Sequence, residues 1–175
     1  MEDIAPFAAL LRFDPAYPPG AARLFLIFAL PVWLYMAWYD MARLKILNGL
    51  VLFVLAVFLL LGPLVLPFSA YMGQLLQALI VFVVIFALYA AGAMGGGDAK
   101  FIAAAAPFFM AEDIFLILSL FLACALAAFA VHRLFLVAGA DRALPLWQSW
   151  RSGRRFPLGF ALGGVLTIYL ALAAF

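Results

Sequence analysis

The sequence predicts an all-α, polytopic membrane protein with about six transmembrane helices and both termini outside the cytoplasm. Three observations carry that prediction. Of the 175 residues, 71% are hydrophobic and only 10% are charged, a balance foreign to soluble domains. The apolar residues form long unbroken runs, whereas the strands of a membrane barrel would alternate polar and apolar positions. The Lys and Arg residues gather in loops that six crossings would place on one side of the membrane.

The segments follow in order. "IAPFAALLRF" is too short to span and leads into the turn-rich "DPAYPPG", so residues 1–21 read as an interfacial N-terminal segment with no cleavable signal peptide ahead of it. Apolar runs then cover roughly 22–39, 47–67, 73–92, 99–111, 113–131 and 158–175. About 20 apolar residues are needed to cross a hydrocarbon core of roughly 30 Å at 1.5 Å per residue. The fourth run, from Asp98 to Ala111, is therefore short. The stretch 140–156, "ADRALPLWQSWRSGRRF", reads as a basic loop lying on the cytoplasmic surface. No repeat or second domain interrupts residues 1–175.

Orientation rests on the basic residues. With the N-terminus outside and six crossings, Arg43, Lys45, Lys100, Arg133, Arg142, Arg151, Arg154 and Arg155 lie inside, and only Arg12 and Arg23 lie outside. A re-entrant fourth segment would move the cluster from Arg133 to Arg155 to the outer side, so that segment is expected to cross. Glu2, Asp3, Asp14, Glu112 and Asp113 then fall outside, and the cytoplasmic carboxylates are Asp40, Asp98 and Asp141.

Asp40 ends the first span in "AWYDMARLKILNGL", and Asp98 stands at the junction of the third and fourth in "AGAMGGGDAKF". Both are expected at one depth on one side. A carboxylate close to hydrocarbon is costly and tends to be functional. Two held close resist double ionisation and share a proton. That state suits an aspartic protease: one carboxylate takes a proton from water while its protonated partner polarises the scissile carbonyl. The chemistry needs no metal or cofactor, and with one His and one Cys the chain offers no other catalytic set.

The residues around the pair have supporting readings. Gly95, Gly96 and Gly97 lack a Cβ, so the backbone before Asp98 is free to take torsions closed to other residues and to let an extended substrate lie close. The plain alternative is a flexible loop whose Asp caps the next helix. Lys100 either anchors this turn at the interface or tunes Asp98 by opposite charge. Asn48 either orients the site or caps the second helix. Gln74 and Gln77 are expected to bond backbone or each other near the outer end of the third helix. His132 and Arg133 read as interfacial anchors, Cys124 as a small core residue, and Asp141 as a substrate contact to watch. Gly159 and Gly163 have the GxxxG spacing of close helix contact, within one chain or between chains.

"MGGGDAKF" resembles the G-x-G-D-x-K signature of the type IV prepilin peptidases, membrane aspartic proteases of the GxGD class. "YDMARLKILNGL" is similar to their first motif, in which Asp, basic residues and then Ile-Pro-Asn follow a helix. Asp40, Arg43, Ile46 and Asn48 match, and Leu47 stands where Pro is usual. The separation of the two aspartates, about 60 residues, also suits the family, and "RRFPLGFALGG" resembles its basic Pro-x-Gly entry into the last helix. The resemblance implies catalysis by Asp40 and Asp98, with Gly95, Gly97, Lys100 and Asn48 in support. Because Cys124 is solitary and no zinc-binding methyltransferase region fits before Asp40, the chain looks most like the small peptidases of Tad/Flp pilus systems, and less like the archaeal preflagellin peptidases. The implied substrate is a prepilin with a short basic leader ahead of a hydrophobic helix, cleaved at the cytoplasmic face of the inner membrane. The implied partners are that precursor and the lipid bilayer, with no nucleic acid; a homo-oligomer stays open. Two other classes are weighed against this one. A presenilin-like or signal-peptide-peptidase-like GxGD protease fits less well in aspartate spacing and lacks the Pro-Ala-Leu element. A cation or proton transporter would carry acidic residues along its spans, and this chain does not.

Overall fold

Two prolines start the first helix. Pro18 is the N-cap and Pro19 the first residue of α1 (Pro19–Arg43), positions where the missing N–H costs no helical bond. The structure, a computed structural model, describes residues 14–151 and 157–175, the Arg151 side chain excepted. Most of the interfacial segment expected at 1–21, and the end of the basic loop with Arg154 and Arg155, lie outside the described residues.

Then follow α2 (Asn48–Val65), α3 (Phe68–Ala90), α4 (Gly96–Ala105), two 3-10 turns at Ala106–Phe108 and Ala111–Asp113, α5 (Ile114–Val137), the single turns α6 (Ala140–Ala143) and α7 (Gln148–Arg151), and α8 (Gly159–Ala174). No strand occurs among the described residues. Four helical stretches are long and apolar enough to cross a membrane: α1, α2, α3 and the one that contains α5. The other two expected spans are shorter, at ten residues in α4 and 16 in α8. Pro107 explains the first, since it cannot donate a helical bond and its ring crowds the preceding turn. The first helix is longer than its apolar run, because the hydropathy drops at Asp40 while the backbone bonding continues to Arg43.

Packing sets which chain ends meet. Helix α8 lies antiparallel on α1: Arg23 Nε donates to the Ala174 carbonyl (2.8 Å) at one end, and the Gly159 amide donates to Asp40 Oδ2 (2.7 Å) at the other. A Cβ on Gly163 would come within 2.7 Å of Met36 Cε and Trp33 Cδ1, so the GxxxG spacing serves a close contact inside the chain. Between these ends Phe108 meets Phe25 and Phe58 edge-on in the core beside Leu166, all buried. The segment after α4 climbs back along α3. Gln77 Nε2 donates to the carbonyls of Ala106 (3.0 Å) and Phe109 (2.9 Å), bonding backbone as expected, while Gln74 Nε2 turns to Met110 Sδ.

Candidate active site

The last turn of α1 carries Asp40, which is 5% exposed in a chain whose helices otherwise hide few charges. Leu44 closes the helix in the left-handed region (φ 52°), its amide bonded to the Asp40 carbonyl at 2.7 Å. Such a backbone is costly for a residue with a Cβ. It turns the chain sharply, and the next residues run without helix to α2. Leu47, where the resembling motif has Pro, sits at φ −72° as the N-cap of α2. A proline adopts that angle, so the exchange leaves the turn intact.

The linker after α1 lies against the start of α4. A Cβ on Gly97 would meet Ile46 Cβ at 3.3 Å and the Ile46 amide nitrogen at 3.5 Å, and one on Gly96 would meet the Tyr89 ring at 3.1 Å. This approach brings Asp98, half-buried in the first turn of α4, within electrostatic reach of Asp40. The glycines act through space and not through unusual torsions. Gly95 has φ −71° and the next two are helical, while the turn's positive φ falls on Gly92. A Cβ on Gly95 would come within 2.9 Å of Asp98 Oδ2, so its absence leaves the carboxylate room to fold back over the helix start. Asp98 does not cap α4, since no side-chain cap bond forms there.

Lys100 and Asn48 meet each other. Lys100 Nζ donates to Asn48 Oδ1 at 3.3 Å, tying the second turn of α4 to the first residue of α2. Asn48 makes no capping bond, and its contact with Lys100 lies at the rim of the candidate site. The six residues predicted for the site thus gather at one end of the bundle. The sequence reading missed the Gly159 amide on Asp40. A Cβ at Gly159 would run to 2.8 Å from Asp40 Oδ2 and 3.1 Å from its Cβ and Cγ, so the contact requires glycine. The small-residue spacing at the start of the last helix signalled close packing but not this bond. Nearby, His132 is buried and stacks on Trp150 (4.7 Å), which stacks on Trp147 (5.8 Å), while Asp141 is exposed. Among the described residues no three His, Cys, Asp or Glu side chains converge as a metal-binding group would.

Residues 27–132 match the model of the type IV leader peptidase family. The chain belongs to that family. The matched stretch holds Asp40, Asp98 and the linker between α1 and α2, and it makes this chain a peptidase built on apolar helices of membrane-spanning length. No curated protein and no solved structure matches the chain. The peptidase's last helix, α8, lies beyond the matched residues, yet it supplies the amide that reaches Asp40.

Proposed function

We propose that this peptidase is an aspartic endopeptidase that removes the short basic leader of Tad/Flp-type prepilins at the cytoplasmic face of the inner membrane. The observation that carries the proposal is the convergence, at one end of the bundle, of two carboxylates from helices that are 58 residues apart in sequence. Among the described residues few charges are buried, and a carboxylate is retained near hydrocarbon when it has work to do. One aspartate of the pair takes a proton from a water as the water oxygen attacks the scissile carbonyl carbon. The other, protonated, donates to the carbonyl oxygen. Collapse of the tetrahedral species breaks the C–N bond, and the amine leaves with a proton returned by the first carboxyl. Beside the four long helices, α4 with its 3-10 turns and α8 count as two further passes. The residues after α4 run back along α3 and α8 runs antiparallel to α1, and with six passes both aspartates would share the side that holds most Lys and Arg.

The test is cleavage of a leader-bearing pilin precursor by the full chain in liposomes, beside Asp40→Asn and Asp98→Asn. Each variant is expected to lose about 10²- to 10⁴-fold in rate, the span of a positioned acid or base. Cleavage that survives either change removes the two-aspartate mechanism. Cleavage of transmembrane stubs in place of precursors moves the substrate toward the presenilin-like class, and ion flux without cleavage moves it to a transporter.

A further inference from the structure

Asp40 and Asp98 differ in what donates to them. Asp40 Oδ2 accepts the Gly159 amide at 2.7 Å, in a buried contact that bridges 119 residues of sequence. Among the described residues none donates to the Asp98 carboxylate. Asp98 stands in the first turn of its own helix α4, whereas Asp40 stands in the last turn of α1 and against the first turn of α8. The end of α1 disfavours a carboxylate and the start of α8 favours one, so the two dipoles oppose each other at Asp40, while the start of α4 favours an ionised Asp98. The amide is the direct contact that acts the other way. A backbone N–H only donates, so the oxygen it touches holds a lone pair and not a proton, and a charge-assisted bond of this kind favours the ionised group.

We infer that Gly159 is a positioning residue of this peptidase: its amide fixes the Asp40 carboxylate and makes Asp40 the base and Asp98 the acid of the pair. The inference rests on the two-aspartate reading above. Asp40 Oδ1 then takes the proton of the attacking water as the new C–O bond forms, and the Asp98 proton passes to the carbonyl oxygen. When the C–N bond breaks, the Asp40 proton leaves on the amine and Asp98 recovers its proton from the hydroxyl of the collapsing diol. Atoms balance as peptide plus water to acid plus amine. Glycine is demanded at two positions one helical turn apart, at Gly159 by the Asp40 contact and at Gly163 by the contact with Met36 and Trp33 that seats α8 on α1. The last helix thereby becomes part of the site.

Few charged groups compete with the amide. The helices α2 and α8 carry none along their length, α7 carries Arg151, and α4 carries Asp98 and Lys100, the latter bonded to Asn48. On α1 itself, Arg43 follows Asp40 and is exposed.

The experiment measures kcat and KM for precursor cleavage against pH. It compares the full chain with one in which glycolic acid replaces Gly159, exchanging its N–H for an ester oxygen and adding no side chain. Gly159→Ala is the second variant, and the same ester exchange at Gly163 is the control for a lost helical bond. Losing the amide removes support for the ionised base, so the base's proton affinity rises and the acid limb of the kcat profile moves to higher pH. A hydrogen bond to a charged group predicts a shift of about one to two pH units and about a ten- to hundredfold loss of kcat, with KM little changed. The Gly163 control keeps the wild-type limb. Gly159 variants that lose rate evenly across pH, or that keep their rate, overturn the assignment while leaving the two-aspartate mechanism standing. A wild-type chain that cleaves no precursor overturns both.

Discussion

The two ends of the bundle use carboxylates in opposite ways. At the end that bears Asp113, one oxygen of that carboxylate accepts both the Ala16 amide and the Tyr169 hydroxyl, and Tyr169 Oη in turn accepts the Met110 amide. Tyr17 and Gln77 close neighbouring carbonyls. At the other end Asp40 accepts one amide, and none of the described residues donates to Asp98. A carboxylate has about four acceptor positions. Where the protein supplies two donors from separate segments, the group ties them together; where it supplies one or none, positions stay open for a water and a scissile carbonyl. Both ends hold α8 to the rest of the chain, but only one leaves room for chemistry.

The largest effect that separates the ends is the rate. Asp98→Asn is expected to cost at least about 10²-fold in cleavage, whereas Asp113→Ala leaves the rate per folded molecule close to wild type and lowers stability by about 1–3 kcal/mol, the cost of stranding buried partners. Thermal denaturation in detergent beside the cleavage assay reads both, and an Asp113 variant that folds yet fails to cleave would break the comparison. Tyr169→Phe is expected to cost about 1 kcal/mol in stability with cleavage kept. Lys100→Met removes the rim contact to Asn48. It is expected to lower kcat by about two- to tenfold, in line with the loss of one modest hydrogen bond; no change would assign that contact to anchoring alone. The smallest effect is a gain. Leu47→Pro fits a backbone already at φ −72° and is expected to add about 0.4–1 kcal/mol by restricting the unfolded chain.

Much of the site was legible because charge is conspicuous in this sequence. Asp40 and Asp98 each interrupt an apolar run, and their motifs carry the family resemblance that the matched residues 27–132 bear out. The helical class and four long apolar spans were equally open to a hydropathy reading, and the fourth run was short by its length alone, with Pro107 ending its helix. What escaped depended on contacts between distant elements. The bond of Gly159 to Asp40 exists only because α8 packs antiparallel on α1, and no local pattern states that pairing. Lys100 finds Asn48 because the starts of α2 and α4 lie together, although each residue read alone suggested an anchor or a cap. The glycines before Asp98 were expected to supply unusual torsions, but their φ values are ordinary and their use is to let Ile46, Tyr89 and the Asp98 carboxylate itself come close. Steric demand of that kind is written in the neighbours and not in the glycine.

The central claim is that Asp40 and Asp98 act as one unit. The most direct measurement is a double-mutant cycle on single-turnover precursor cleavage, with Asp40→Asn, Asp98→Asn and the double variant measured in the same liposomes. Residues that act together are strongly non-additive. The double variant is expected to cleave about as slowly as either single one. Losses that multiply, so that the double variant falls by the product of the two single effects, would show two independent carboxylates and contradict the shared site.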